Sequence, residues 1–366
     1  MRISSSEFSG QPSSYTLGPR DNPQQMIVSL PPPTNTTERV HAGFIVLVRN
    51  SELYGMLSSM RDIEDRFNHK FGYPWIFLND EPFTEEFKGR TTAITCGKTY
   101  YGLVDKSMWS YPSWIDLNKT AEAREKMAVL PYGDSESYRH MCRFQSGFFW
   151  RHPLVLELGW EYYWRVEPDV RYYCELDYDP FLYMKQNNKQ YAFTISFIEN
   201  RDTIPTLWSA VRDFVQHNPG HFANQVSDSL YEFVTTDGEI YNQCHFWTNF
   251  EIARLDLWHT DAYRSFFAHL DSLGGFYYER WGDAPIHSIF VALYLRKDEV
   301  HFFNDIGYKH STYEHCPEQD NLLRRCYCNP ANTLDYTDPM SCLNTYMKAM
   351  RGPDQRQQRT VAEIFK

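Results

Sequence analysis

The chain of 366 residues carries 36 lysines and arginines against 47 aspartates and glutamates, a formal net charge of −11. Negative charge of this size is repelled by nucleic-acid backbones and anionic membranes, so we expect neither as a partner. Aromatic residues make up 17% of the chain and charged residues only 23%, which excludes a disordered chain or a coiled coil. Aromatic side chains stack on sugars as well as filling cores, although composition alone favours a tyrosine-rich core.

The N-terminal 39 residues are polar, rich in serine and proline, and include three consecutive prolines beginning at Pro31. Such a segment cannot build a packed core, so we expect residues 1–39 to form a linker or stem. Residues 40–350 are predicted to fold as a single domain and residues 351–366 to form a polar, frayed tail. The chain lacks a membrane-spanning apolar run and a signal peptide, so as written it is expected to be soluble.

Strand and helix patterns alternate along the chain from residue 40 onwards. The first three predict a βαβ unit, with a strand over residues 43–49, a helix capped by Ser51 and a strand over residues 74–78. Further strands are predicted over residues 100–104, 162–166, 191–197, 250–255 and 300–303. Helices are predicted over residues 120–130, 138–150, 205–216, 262–273 and 285–295. This alternation predicts an α/β fold with a mostly parallel sheet and helices on both faces.

The chain has eight cysteines, an even number, and two N-glycosylation sequons that begin at Asn35 and Asn118. Both features are typical of a secretory lumen. We therefore expect at least some disulfides among the C-terminal cysteines, which are Cys316, Cys326, Cys328 and Cys342. A zinc site beside His315 is the alternative, although the paired C-x₂-C spacing is missing. Cys244, flanked by large apolar residues, is expected to be buried or disulfide-bonded.

Polar residues follow three of the predicted strands, at the sheet edge where α/β proteins bind ligands. The candidates for binding a nucleotide cofactor or donor are Arg49, Asn79, Arg165, Glu167 and Asp169. No G-x-G-x-x-G or P-loop follows any strand, so phosphates need a different anchor. Glu167 and Asp169 could hold a divalent cation against a diphosphate, or could be solvated turn residues. Arg49 and Arg165 could contact the nucleotide or form structural ion pairs.

Four longer motifs, over residues 162–170, 178–184, 241–252 and 280–288, resemble the fungal α-1,2-mannosyltransferases of glycosyltransferase family 15. The resemblance runs from about residue 39 to residue 317. It implies a GT-A fold, a Rossmann-like mixed sheet, over residues 40–350. It also implies retaining transfer of mannose from GDP-mannose to a mannoside, with Mn²⁺ as cofactor. Members are typically anchored in the Golgi membrane by one N-terminal helix, and this chain lacks that helix.

The resemblance also implies roles for single residues. The glutamate of the family's E-P-x-V motif is a metal ligand and matches Glu167, and a histidine after the last strand, matching His310, completes the metal site. The glutamate of N-F-E-I matches Glu251, a candidate nucleophile or stabiliser of an oxocarbenium ion. The aspartate of W-G-D matches Asp283, the second catalytic candidate. Asp283 could bind sugar hydroxyls or merely cap the following helix.

Neighbouring residues in these motifs have structural alternatives. His245 and His287 lie among apolar residues, and we expect core histidines rather than ligands. Trp247 and Tyr241 could form an acceptor platform or fill the core. The leading functional hypothesis is an α-1,2-mannosyltransferase that elongates N-linked or O-linked glycans. Its rivals are a non-catalytic carbohydrate-binding protein on the same fold and a glycoside hydrolase with paired acids.

Overall fold

The computed structural model describes residues 38–236, 239–351 and 359–365, so the predicted linker up to residue 37 lies outside the described residues. The strands are β1 (Ala42–Leu47), β2 (Trp75–Asn79), β3 (Thr99–Leu103), β4 (Tyr162–Arg165), β5 (Arg171–Tyr172), β6 (Tyr191–Phe193), β7 (Ser196–Ile198), β8 (Thr235–Thr236), β9 (Ile240–Tyr241), β10 (Cys244–Phe246), β11 (Glu251–Arg254), β12 (Val300–Phe302), β13 (Tyr308–His310) and β14 (Tyr313–His315).

The helices are α1 (Leu53–Arg66), α2 (Glu85–Ile94), α3 (Leu117–Met127), α4 (Glu136–Gly147), α5 (Pro153–Leu158), α6 (Pro180–Gln186), α7 (Leu207–His217), α8 (Tyr231–Val234), α9 (Leu255–His259), α10 (Asp261–Leu273), α11 (Gly275–Tyr278), α12 (Asp283–Tyr294), α13 (Asp320–Leu323), α14 (Leu343–Arg351) and α15 (Val361–Ile364). Each long predicted helix is present, with ends shifted by a few residues. The first begins at Leu53 rather than after Ser51, because residues 50–52 form a 3-10 turn.

The central sheet has seven strands in the order β12-β6-β11-β4-β1-β2-β3. Strand β11 runs antiparallel to both of its neighbours, while the other pairs are parallel. One apolar layer contains Met56 of α1 and Phe181 of α6, and the opposite layer contains Phe144 of α4 and Phe290 of α12. The predicted mixed, mostly parallel sheet with helices on both faces is therefore confirmed.

One predicted strand, over residues 191–197, is divided in two. Its first half is β6 in the central sheet, and its second half is β7, which leaves that sheet to pair with β10. A third small sheet joins β14, β13 and β5. In it Tyr308 lies opposite Tyr172. This pairing brings the end of β13 beside the turn that follows β4.

Two of three disulfides, Cys174–Cys326 and Cys244–Cys342, cross-link the C-terminal part to the rest of the domain, and the third, Cys316–Cys328, closes a loop within that part. The expectations for the four C-terminal cysteines and for Cys244 are confirmed. Among the described residues, the one cluster of three or more potential metal ligands is Cys174, Cys326 and Cys328. Its sulfurs are already joined in disulfides, so the zinc alternative is wrong. Cys96 and Cys142 are free thiols.

The C-terminal segment differs from the frayed tail expected over residues 351–366. Residues 359–365 pack against the domain, with Val361 fully buried and Phe365 only 2% exposed. The Val361 amide donates to the Asn224 carbonyl, and the Phe365 ring lies 5.6 Å from that of Trp208. The apolar residues of this short segment hold it against the domain, although the sequence around it is polar.

None of the helices in the described part of the chain combines the length and the apolar character needed to span a membrane.

Candidate functional site

A buried arginine at the end of β4 is the centre of a charged cluster. The Arg165 guanidinium donates from Nη1 to Asp283 Oδ2 and from Nη2 to Glu167 Oε1, each at 2.6 Å. Arg165 is 5% exposed. Burial acts to lower its pKa, but Asp283, Glu167 and Glu251 raise the pKa well above its usual value overall. The Arg165 side chain therefore keeps its positive charge. Of the two roles predicted for it, nucleotide contact or structural ion pair, this geometry shows the ion pair.

Glu167 and His310 face each other across the turn after β4. The distance from Glu167 Oε2 to His310 Nε2 is 3.6 Å, and both side chains are about one quarter exposed. His310 Nδ1 is buried and has no hydrogen-bond partner among the described residues. A carboxylate oxygen and an imidazole nitrogen this close suit a divalent cation such as Mn²⁺. The structure therefore brings together the two predicted metal ligands, with Glu167 Oε1 held by Arg165.

The described part of the chain offers this pair no third ligand, because no His, Cys, Asp or Glu completes a cluster there. Asp169 was a candidate, but its carboxylate lies against α1: a Cβ on Gly55 would be 2.5 Å from Asp169 Oδ2. Asp169 has a φ of 59°, in the left-handed region, and its amide donates to the Gly55 carbonyl. Asp169 thus shapes the turn that presents Glu167, and a cation would need further oxygens from a bound diphosphate.

Two other predicted nucleotide-binding residues lie at the same edge of the sheet. Asn79 is 2% exposed at the end of β2. Arg49 is exposed just beyond β1, and its guanidinium contacts the Ser137 hydroxyl near the start of α4. The parallel pairing of β2, β1 and β4 places both residues along one edge of the sheet with the Arg165 cluster.

Asp283, the first residue of α12, is 5% exposed. Its Oδ2 accepts from Arg165 and, at 2.7 Å, from the Thr248 hydroxyl. Burial acts to raise its pKa, but Arg165 and His287 lower the pKa below its usual value overall. Asp283 is therefore ionised at neutral pH. Its side chain does not cap α12, which has Gly282 at its N-cap, so the capping alternative is wrong.

Glu251, the other catalytic candidate, is sealed inside the domain with 0% exposure. Its Oε1 accepts from the Tyr163 hydroxyl at 2.6 Å, and its Oε2 lies 3.1 Å from the Tyr191 hydroxyl and 3.2 Å from His287 Nδ1. A carboxylate in this position cannot touch a ligand unless the layer above it opens. The geometry therefore favours a positioning role for Glu251 over the predicted nucleophile.

The histidines and aromatic residues of the same motifs divide between core and site. His245 is 2% exposed and His287 fully buried, so both are core histidines as predicted. Tyr241 is also buried and stacks on Trp208 at 5.4 Å. Trp247 differs, because it is only half-buried and its ring lies 5.0 Å from that of His310. Of the two predicted platform residues, only Trp247 borders the site.

Sequence reasoning missed three residues that extend the charged cluster towards α4, namely Arg280, Glu199 and Tyr138. Arg280 lies with its guanidinium 5.3 Å from the Tyr138 ring centre and 3.7 Å from a Glu199 carboxylate oxygen. Burial raises the pKa of Tyr138 well above its usual value, and Cys142, Asp283 and Glu199 act in the same direction. Tyr138 thus supplies a neutral hydroxyl beside the charged groups. Arg280 was within a recognised motif, whereas Tyr138 gave no signal beyond the start of a predicted helix.

The chain matches a family model described as glycolipid 2-alpha-mannosyltransferase over residues 11–351. It is 54% identical to glycolipid 2-alpha-mannosyltransferase 2 of Candida albicans over 318 residues, which are 86% of this chain and 68% of the relative.

Two solved structures are also similar. Core-mannan synthase A from Aspergillus fumigatus, in a form with Mn and GDP, is 40% identical, with 87% of each chain covered and a TM-score of 0.79. The mannosyltransferase Ktr4p from Saccharomyces cerevisiae, in complex with GDP, is 34% identical, with 91% of this chain and 89% of that chain covered and a TM-score of 0.82. The expected GT-A fold is confirmed by this similarity.

The buried pair of Arg165 and Asp283 leads to a prediction about stability. Asp283→Asn leaves the arginine with one partner fewer, and breaking a buried pair costs about 3–5 kcal/mol. Thr248→Val, which removes only a hydroxyl from the same Asp283 oxygen, is the control and is expected to cost about 1 kcal/mol. Urea unfolding at neutral pH measures both. An Asp283→Asn loss no larger than that of the control would contradict a stabilising ion pair.

The same pair predicts a dependence on pH. The pKa of Asp283 is lower in the folded than in the unfolded chain. Its contribution is therefore present above the unfolded pKa of about 4 and is lost as pH falls through the folded pKa. The stability difference between wild type and Asp283→Asn should accordingly shrink in acid.

Proposed function

We propose a reaction for this chain from one premise: the chain belongs to the glycolipid 2-alpha-mannosyltransferase family. It is a glycosyltransferase that attaches mannose in α-1,2 linkage. The donor is GDP-mannose, the acceptor is a mannoside of an N-linked or O-linked glycan, and the anomeric configuration is retained. The observation that carries the proposal is the buried Arg165, which ties Glu167, beside His310, to Asp283.

Glu167 and His310 are the residues that would hold a divalent cation, and we assign it as Mn²⁺. Bound there with the donor, the cation would neutralise charge on the diphosphate and make GDP a better leaving group. The chain's own contribution is orientation. Arg165 fixes one oxygen of Glu167, so the other oxygen stays directed at His310. Two protein ligands alone bind a cation weakly, so metal and nucleotide binding are expected to depend on each other.

Retention requires stabilisation of positive charge at the anomeric carbon on the face opposite the diphosphate. Of the two predicted carboxylates, Asp283 is the one we place at the reacting sugar, because it belongs to the Arg165 cluster and is ionised. Tyr138 contributes a neutral hydroxyl next to it. Glu251 acts one layer deeper, where it holds Tyr163, Tyr191 and His287 in place under the sheet edge.

We place the reaction in the secretory lumen, with the Golgi as the expected compartment. The support is the three disulfides, since such bonds form and persist in oxidising compartments. The Golgi assignment itself comes from the family.

The decisive test is transfer of mannose in a defined mixture. Purified protein is incubated with GDP-mannose, Mn²⁺ and α-methyl mannoside, and a product with an α-1,2 linkage is expected by NMR. If the protein binds mannosides but forms no product with any of several metals, it is the carbohydrate-binding rival. Cleavage of oligomannosides without nucleotide would instead indicate the hydrolase.

Glu167→Gln tests the metal ligand. The amide keeps the size of the side chain but loses the charge that attracts a cation, so Mn²⁺-dependent binding of GDP should fall to background in calorimetry. Asp169→Asn is the matched control, because that carboxylate lies against Gly55 and should leave the Mn²⁺ dependence intact. Equal losses in both variants, or an unchanged GDP affinity in Glu167→Gln, would exclude Glu167 as the ligand.

Glu251→Gln separates a positioning role from direct contact with the donor. An amide presents a donor group to Tyr191 and His287, and losing the hydrogen bonds to the carboxylate should cost about 1–3 kcal/mol of stability. Turnover is expected to fall together with the melting temperature. Azide should not restore Glu251→Ala, because the site is sealed from the sugar. Normal melting combined with formation of mannosyl azide would show that Glu251 faces the anomeric carbon after all.

A further inference from the structure

The sequon that begins at Asn118 lies on the surface of the folded domain. Asn118 is the second residue of α3 and is exposed, with Lys119, not proline, between it and Thr120. Side chains of α3 that face the domain are Thr120 and Ala123, at 1% and 7% exposure. Asn118 is two positions from Thr120 and so points roughly opposite to it on the helix. A bulky group on the Asn118 amide would project into solvent.

The N-terminus of α3 is fixed by contacts that leave Asn118 outside. The Asp116 side chain caps the helix by accepting from the Asn118 and Lys119 amides. The backbone amide of Asp116 in turn donates to the Tyr278 hydroxyl at 2.8 Å. Capping uses the backbone of Asn118 and not its carboxamide. A change at the carboxamide nitrogen therefore leaves the cap in place.

Large apolar side chains are exposed close to this asparagine. Trp114 is 54% exposed and Leu117 is 60% exposed. Trp114 donates to the Asp271 carbonyl near the end of α10, where Leu273 is 47% exposed. Exposed apolar groups in one region favour association or aggregation unless something covers them. An oligosaccharide at Asn118 is bulky and solubilising and would shield this region.

We propose that Asn118 carries an N-linked oligosaccharide. The donor class is a lipid-linked oligosaccharide diphosphate, used by the host's own transferase. The Asn118 amide nitrogen forms a bond to C1 of the first sugar and loses a proton, while the bond from C1 to the lipid diphosphate breaks and the diphosphate leaves. The proposal rests on the lumenal location in the proposed function, which gives the chain access to that donor.

The fold also indicates when the modification occurs. The sequon hydroxyl, Thr120 Oγ1, donates to the Asp116 carbonyl at 3.0 Å, and Thr120 is 1% exposed. A transferase that must engage this hydroxyl cannot reach it in the folded helix. Glycosylation therefore precedes the folding of α3, and the glycan stays exposed after folding.

Peptide mass spectrometry of the full chain from a fungal secretory host tests the proposal. After enzymatic deglycosylation in heavy-oxygen water, Asn118 should be read as aspartate carrying the heavy isotope. Asn118→Gln should lose the glycan, keep wild-type turnover and aggregate sooner on heating. Turnover should be unaffected because Asn118 is far from Tyr138. Helix α3 is about 16 Å long, and Asn118 lies at its N-terminal end, whereas the loop towards Tyr138 leaves from its C-terminal end. Thr120→Ser keeps both the sequon and the hydroxyl and should remain glycosylated.

Two results would overturn the proposal, and they are distinguishable. Unmodified Asn118 in protein whose three disulfides are formed refutes the glycan and leaves the proposed reaction untouched, even if a glycan is found at Asn35. Free thiols at all eight cysteines would show that the chain does not mature in an oxidising lumen, which removes the premise as well.

Discussion

Burial of the Arg165 guanidinium is the constraint on which the site depends. A charge withdrawn from water is tolerated only where partners compensate it. The two partners of Arg165 are far apart from each other in sequence. Glu167 lies in the turn just after β4, and Asp283 is at the start of α12. The same guanidinium thus aligns Glu167, the proposed metal ligand, with Asp283, the carboxylate that we propose at the reacting sugar. Any change in its position would be felt at both.

Strand order explains how these groups meet. The antiparallel β11 lies beside β4, with Glu251 opposite Arg165 in the register, so the two side chains project from the same face of the sheet. The small sheet adds the other half of the site, since β13 pairs with β5 and ends at His310. Cys174, two residues after β5, ties the end of that strand to Cys326 in the C-terminal part, and Cys316, which follows β14, is joined to Cys328.

Much of the fold was predictable because strands buried on both faces appear as continuous apolar runs. The proximity of Glu167 and His310 was predictable through motif resemblance, because a family motif can relate residues that are far apart in sequence. Burial of Glu251 was not, because the side chains that seal it, Tyr163 and Tyr191, are on other strands and look like ordinary core residues. Cysteine pairing was beyond reach for the same reason: eight cysteines permit many connectivities and only tertiary structure selects one.

Composition alone allowed two explanations for the high aromatic content, core packing and stacking on sugars. The structure assigns most of the aromatic residues to the core. Rings such as Phe44, Trp164 and Phe181 pack on one another against the sheet. Trp247 and Tyr138 are different, because each lies beside a polar group of the site, His310 in one case and Arg280 in the other. Closely packed rings resist displacement of the strands that they cover. Charged side chains at the ends of such strands are held at fixed positions, which electrostatic preorganisation requires.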